Sequence, residues 1–255
     1  MNWSAHKPKF FYTTSPLPCP YIEGRMERKV VTDLSGPEAD KLHDRLSHAG
    51  FRRSHGIAYA PVCQNCNACV PIRLPVARLQ PDRTQRKIMN RNADIGIYRV
   101  PAQATEEQFV LFQHYQAARH QGGDMASMTF ADYRSMIEET PVDTFMLEFR
   151  RADGELLVVS LIDRLGDGLS AVYTFFQPSE ERRSLGTYAV LCLASCAASM
   201  SLSYVYLGYW IAESRKMAYK TRFQPVEILL QGVWRNLDET SYGKSISSPQ
   251  TGEET

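Results

Sequence analysis

Three of the six cysteines stand at even spacing, Cys63-x-x-Cys66-x-x-Cys69. Thiolates so placed can converge on one metal ion, and Cys19 is available as a fourth ligand. Zinc would make the loop a structural clip, whereas an iron–sulfur cluster would make it redox-active. The bacterial ferredoxin run is excluded, because Cys69-Val-Pro lacks the next cysteine. The alternative is a loop of reduced, packed cysteines; the spacing favours metal. Cys192 and Cys196 lie in an apolar segment and read as core. A second chemical feature is the polar stretch Glu180-Glu-Arg-Arg-Ser-Leu-Gly-Thr187. It opens a helix, where free N–H groups favour anions, and Arg182 and Arg183 add charge. Further along, Lys216 and Lys220 are four residues apart and would share one face of a helix. No G-x-S-x-G or similar nucleophile motif is present.

These groups need a frame. Leu156–Ile162 and Ser170–Phe176 are β-branched and aromatic runs joined by Gly166-Asp-Gly168, a hairpin signal. Tyr188–Met200 is rich in Ala, Ser, Leu and Cys and predicts a helix buried on most sides. Tyr204-Val-Tyr-Leu-Gly-Tyr-Trp210 predicts a strand, which completes a right-handed βαβ unit. By strict alternation Tyr204, Tyr206 and Trp210 share one face, and Val205, Leu207 and Tyr209 the other. Most of these aromatics read as core, while Tyr209 and Trp210 at the strand end are candidates to line a pocket.

Upstream, Arg28–Asp33 and Phe51–Ala60 read as strands, with a helix after Ser35-Gly-Pro that stops at Gly50. Val70-Pro-Ile-Arg-Leu-Pro-Val76 reads as an edge strand, given its prolines. Thr84–Ala93 is a basic helix and Ile95–Val100 a strand. Thr105 and Thr129 each start a helix, the first with capping-box form. Thr144–Arg150 is a strand. The fold expected is α+β, with an N-terminal α+β subdomain over 1–100, a larger domain over 101–237 and a flexible tail over 238–255. Hydrophobic content of 44% and charged content of 22% are ordinary for a globular protein. No apolar run reaches membrane-spanning length, and Met1–Pro8 lacks a signal peptide's apolar region, so a cytoplasmic protein without a membrane partner is expected. Net charge is only +1. Residues 51–100 nonetheless carry Arg52, Arg53, Arg73, Arg78, Arg83, Arg86, Lys87, Arg91 and Arg99 against Asp82 and Asp94. That block is either a phosphate-tracking face or a solvated surface balanced elsewhere.

The strand–loop–helix–strand unit resembles the cofactor-binding half of the GNAT acyltransferase fold. Arg183-Ser-Leu-Gly186-Thr-Tyr188 matches its pyrophosphate loop except at Tyr188, where a small residue is expected, and this weighs against acetyl-CoA. Longer motifs resemble the arginyl-tRNA–protein transferase family, most closely its bacterial branch, the aspartate/glutamate leucyltransferases. They are Tyr12–Arg28, Gly50-Phe-Arg-Arg-Ser54, Cys66–Arg73, His114-Tyr with Arg119-His120, Ala171–Phe176, Arg183–Tyr188, Tyr204–Ile211 and Lys216-Met-Ala-Tyr-Lys220.

The resemblance implies a GNAT-like domain that takes aminoacyl-tRNA in place of acyl-CoA. Its reaction moves leucine from Leu-tRNA to the N-terminal α-amine of proteins beginning with Asp or Glu and marks them for degradation; the alternatives are an Arg-tRNA donor with the same acceptors, or a CoA-dependent GNAT N-acetyltransferase. No organic cofactor is implied, and metal at the cysteines carries over weakly. An aminoacyl ester is already activated, and an α-amine of pKa about 7.7–8.0 is partly neutral in cells, so positioning can supply most of the rate. Arg83, Arg86, Lys87, Arg182, Arg183, Ser184 and Gly186 are expected to meet tRNA. Arg119, Lys216 and Lys220 are candidates for the acceptor's acidic side chain, with Tyr173 and Trp210 shaping the aminoacyl pocket. His120, Glu213 and Tyr209 are the catalytic candidates, and His114 reads as structural.

Overall fold

The computed structural model describes residues 9–120 and 122–240. The N-terminal unit contains β1 (Tyr12–Thr13), β2 (Leu17–Pro18), β3 (Met26–Glu27), β4 (Lys29–Asp33), α1 (Ala39–His48), β5 (Arg52–Ser54) and β6 (Ile57–Pro61). A four-stranded sheet in the order β1-β4-β6-β5 covers α1. Its small core is built from Leu34, Leu42, Leu46 and Ala58.

The remaining strands form one eight-stranded sheet. They are β7 (Val70–Pro75), β8 (Gly96–Pro101), β9 (Thr144–Arg150), β10 (Leu156–Arg164), β11 (Gly168–Phe176), β12 (Tyr204–Trp210), β13 (Glu227–Leu230) and β14 (Val233–Asn236). Their order is β14-β13-β7-β12-β11-β10-β9-β8. Only β11 and β12 run parallel, and the crossover between them is α5 (Leu185–Ser199). With α2 (Arg83–Arg91), α5 covers one face of the sheet. On the other face, α3 (Glu106–Arg119) and α4 (Phe130–Glu138) bury Phe109, Phe112, Tyr133 and Ile137 against Met146, Val159 and Phe175. Capping boxes at Asp82, Thr105 and Thr129 start α2, α3 and α4. This α+β sandwich around a mixed sheet is the GNAT-like arrangement expected. No helix of the described residues is long and apolar enough to cross a membrane.

The larger sheet reaches back before residue 100, taking in β7 and most of β8. One expectation changes: β7 is not an edge strand but lies between β12 and β13. Its prolines are tolerated because Pro71 faces Tyr209, just past an irregularity in β12, and Pro75 ends the strand. Beyond residue 240 the expected flexible tail lies outside the described residues.

The two units are joined by buried polar contacts. Arg53 donates twice to Asp163 on β10, each bond at 2.7 Å, and Thr144 also donates to this carboxylate. His43 of α1 lies 3.6 Å from the same carboxylate. His48 meets Asp167 at 2.8 Å, and Trp234 donates to the His48 carbonyl. Removing one partner of a buried pair strands the other charge, at a cost of about 3–5 kcal/mol. Asp163→Ala should therefore lower the urea unfolding free energy by about that much. A loss under ~1 kcal/mol would show that the pair does not hold the units together.

Candidate active site

The chemistry gathers where β11 and β12 part. Their register pairs Gly168 with Tyr204, Leu169 with Val205 and Ser170 with Tyr206, and then stops, although both strands continue. The cause is local. Between Tyr206 and Tyr209, β12 advances three residues while β7 advances only two, from Arg73 to Pro71. Gly208 sits at this bulge with φ of +76°. Such a bulge bends a strand and increases its twist. It also reverses the alternation expected from the sequence: Trp210 joins Val205 and Leu207 in the α5-side core.

Arg52 occupies the opening. Its Nη2 donates to the carbonyls of Ala171 and Val172 at 2.8 and 3.0 Å. A Cβ on Gly208 would lie 1.7 Å from Arg52 Nη1. Gly208 is thus required by its conformation and by the guanidinium against it. Lys220, from the 3₁₀ segment Arg215–Arg222, closes the other side and donates to the carbonyls of Leu207 (2.8 Å) and Tyr209 (2.6 Å). Burial, and then the charge of Arg52, pulls the Lys220 ammonium down to about 7.

The end of α3 forms a further wall. Tyr115 packs edge-on against Phe176 at 4.9 Å and lies 5.6 Å from the His120 ring. Burial, followed by the charges of Lys216 and Arg119, lowers the His120 pKa, so the imidazole is held neutral. Arg119 lies over Phe176, 6.0 Å from the ring centroid. Gln116 Nε2 donates to the Tyr173 hydroxyl at 2.7 Å, while Gln116 Oε1 is buried without a hydrogen-bond partner. Burial pushes Tyr173 up to about 12. Tyr219 is also raised, by burial and then by Tyr115. The cleft therefore brings together Tyr173, Arg119, His120, Lys216 and Lys220 of the expected residues.

Others lie elsewhere. Trp210 is 2% exposed and packs in the core, so it shapes no pocket. The Tyr209 hydroxyl donates to the Gly50 carbonyl at 2.9 Å, and burial raises it far above neutrality, which makes it a structural group. Glu213 is exposed in the turn after β12 and feels Arg25 and Cys66 rather than His120. His114 is exposed, not packed as expected. Arg52 was hidden inside the Gly50–Ser54 motif; only the glycine in the middle of β12 hinted that something approaches there.

A separate basic face lies on α2. Arg83, Arg86, Lys87 and Arg91 are exposed at helical spacing, and Arg91 donates to the Arg182 carbonyl. Arg182 is exposed beside them. Arg183 is not available in the way expected: it chelates Asp94 at 2.8 and 3.0 Å and also bonds Glu180. With Asn92 donating to the Arg183 carbonyl, this holds Ser184 in a left-handed conformation, φ 52°, at the start of α5, one residue pair before Gly186. The objection from Tyr188 also lapses. Its side chain turns into the core against Phe149, with its hydroxyl on the Asn92 carbonyl, and does not cover the loop. Of the rest of the basic block, Arg53 and Arg73 are buried in ion pairs with Asp163 and Glu227.

At the cysteine loop, burial and then Cys19, Cys63 and Cys66 lift the Cys69 thiol to about 11. The Cys66 thiol is lowered by the Ala68 N–H and then by Arg25, and Cys63 Sγ accepts the Arg28 N–H. Four thiols with N–H···S support are a donor set for zinc or iron–sulfur. Among the described residues, however, no three of these sulfurs lie mutually within 4.8 Å.

Comparison with known proteins places this architecture. Residues 17–87 match the N-terminal model, and residues 107–230 the C-terminal model, of arginine-tRNA-protein transferase. The chain belongs to the arginine-tRNA-protein transferase family. It is 63% identical over 235 residues to an aspartate/glutamate leucyltransferase of Gluconacetobacter diazotrophicus, covering 92% of this chain and 90% of that protein. The leucyltransferase of Granulibacter bethesdensis is 59% identical over 234 residues, covering 92% and 88% of the two chains. That of Paramagnetospirillum magneticum is 56% identical over 229 residues, covering 90% and 94%. Within the family architecture, the splay depends on Gly208 and Arg52 together. Gly208→Ala should cost about 1–2 kcal/mol for its left-handed backbone plus a collision term. In an Arg52→Ala background the collision term should vanish, as a double-mutant cycle by urea unfolding would show. Strict additivity would exclude the contact.

Proposed function

We propose that this chain transfers leucine from Leu-tRNA to the N-terminal α-amine of proteins that begin with Asp or Glu, marking them for degradation in the cytoplasm. The observation that carries this reading is 63% identity to a leucyltransferase over nine-tenths of both chains. The site chemistry supports it. The acceptor amine attacks the leucyl carbonyl carbon, the new C–N bond forms, and the ester C–O bond to the terminal ribose breaks. The proton lost by the amine ends on the released ribose hydroxyl. His120, neutral and beside Tyr115, is the proton acceptor we propose along that route. The buried, unpaired Gln116 Oε1 is placed to accept an N–H from a substrate amine.

An arginyl donor would need a carboxylate for its guanidinium. The residues that gather at the cleft, Arg52, Tyr115, Gln116, Arg119, His120, Tyr173, Lys216, Tyr219 and Lys220, are neutral or cationic. Leucine is the better match. The tRNA backbone is assigned to the α2 face with Arg182, which lies beside the loop that starts α5. At the cysteines we propose a structural metal held by Cys19, Cys63, Cys66 and Cys69, with no part in the transfer.

The decisive test is transfer of labelled leucine and labelled arginine from their tRNAs to peptides starting with Asp, Glu, Lys or Ala. Leucine should appear on the Asp and Glu peptides alone; label from Arg-tRNA instead would reassign the donor. Reversing charge in Arg86→Glu/Lys87→Glu should raise KM for Leu-tRNA and flatten its salt dependence by about one to two phosphate contacts. The KM for the peptide should stay constant. His120→Gln should lower kcat by about 10²-fold, within the usual range for acid–base groups. Elemental analysis should find zinc or iron in the purified chain and none in Cys66→Ser; equal metal content in both would dismiss the cysteine site.

A further inference from the structure

Half-buried arginines elsewhere in this protein are matched with acids. Arg53 has Asp163, Arg73 has Glu227, Arg150 has Glu107 and Glu148, Arg151 has Glu155 and Glu180, and Arg183 has Asp94 and Glu180. Arg52 is the exception. It and Lys220 occupy the same cleft as like charges, and among the described residues neither is bonded to a carboxylate. Their recorded partners are four backbone carbonyls, two for each cation. A guanidinium has five N–H donors and an ammonium three, so both keep donors in reserve. Tyr21, Tyr209 and Tyr219 flank Arg52 and feel its charge; of the three, Tyr209 is buried. By burial, and then by Arg52 beside it with no carboxylate bonded, Lys220 is held near neutrality, and an entering carboxylate would favour its charged form.

Building on the leucyl-transfer reading, we infer that Arg52 and Lys220 jointly receive the side-chain carboxylate of the acceptor's first residue and set the preference for acidic N-termini. The other candidates suit this task less well. Arg119 and Lys216 are exposed, where water and salt weaken the discrimination of a single charge; they fit phosphates near the acceptor end of the tRNA. The Arg52–Lys220 pair sits at the splay, with both cations half-buried and held on backbone carbonyls. One carboxylate neutralises only one of the two cations. The remaining positive charge favours the neutral, nucleophilic form of the adjacent α-amine.

The test compares matched peptides that begin with Asp or Asn, and with Glu or Gln, in leucyl transfer. Lys220→Met should lower kcat/KM for the Asp and Glu peptides about 100-fold, as expected for truncating one partner of a desolvated charge pair. Whatever loss the Asn and Gln peptides share through the altered splay, the Asp-to-Asn and Glu-to-Gln ratios of kcat/KM should fall about tenfold or more. Arg52→Gln, checked for folding by circular dichroism, should do the same. Parallel loss on acidic and amide peptides would mean that the pair merely supports the fold and would overturn the inference. Collapse of the Asp-to-Asn ratio in Arg119→Gln or Lys216→Gln, with Lys220→Met unaffected, would move the carboxylate to those residues and also overturn it. If the wild-type chain transfers no leucine, the underlying reading fails on its own. Peptide binding then decides the inference: tighter binding of Asp than Asn peptide, lost in Lys220→Met, supports it, and equal binding overturns it.

Discussion

The approach of the Arg52 guanidinium to Gly208 is the constraint on which the rest of the site depends. Parallel strands of ordinary geometry would pair along their full length, and β11 and β12 have the residues to do so. They stop at Ser170 and Tyr206, where β12 bulges at its glycine against β7 and β11 carries an extra residue, Val172, against β10. The carbonyls of Ala171 and Val172 then lack their strand partners, and Arg52 supplies donors to both. Lys220 does the same for Leu207 and Tyr209. The opening is stabilised by the two cations that occupy it. Unsatisfied backbone carbonyls in a buried splay would be costly, so neither residue is a bystander.

This places the N-terminal unit in a particular role. It reaches the large sheet through adjacent residues of one short strand. Arg53 turns to Asp163 and anchors β5; Arg52, one residue earlier, points the other way into the splay. Alternation along a strand delivers both outcomes from one dipeptide. The Tyr209 hydroxyl on Gly50 and the His48–Asp167 contact fix the same junction from other elements. Precision at the cleft is therefore inherited from a buried ion pair one residue away, which explains why a charge pair of modest net value can be worth keeping.

Much of this was legible in the sequence. The hairpin of β10 and β11, the helix of small residues and the strand after it all follow from periodicity and turn residues. The capping-box form at Thr105 and the helix start read at Thr129 are both found in the structure. Two of the failures share one cause. Strict alternation put Trp210 with Tyr204 and Tyr206, and proline rules put β7 at an edge; the bulge at Gly208 undoes both, by reversing the later residues and by sparing Pro71 a ladder bond. A bulge depends on what approaches the strand in space, and Arg52 lies more than 150 residues away in sequence. Similarly, Arg183 looked like a free cation because Asp94 and Glu180 come to it only in the folded chain.

The distribution of acids carries the electrostatic argument further. A net charge of +1 suggests indifference to polyanions. Yet many of the acids are committed: Asp163, Glu227, Glu107, Glu148, Glu180 and Asp94 each neutralise an arginine that holds elements together. Positive charge without a carboxylate partner gathers at the α2 face with Arg182 and in the cleft around Arg52 and Lys220. These differ in dielectric surroundings, and so in what they can do. The exposed face attracts a polyanion over distance, with weak demands on geometry and strong sensitivity to salt. The buried pair is shielded from salt and discriminates at contact range. A chain of nearly zero net charge can in this way both collect a nucleic acid and test a single carboxylate, because folding separates charges that composition averages.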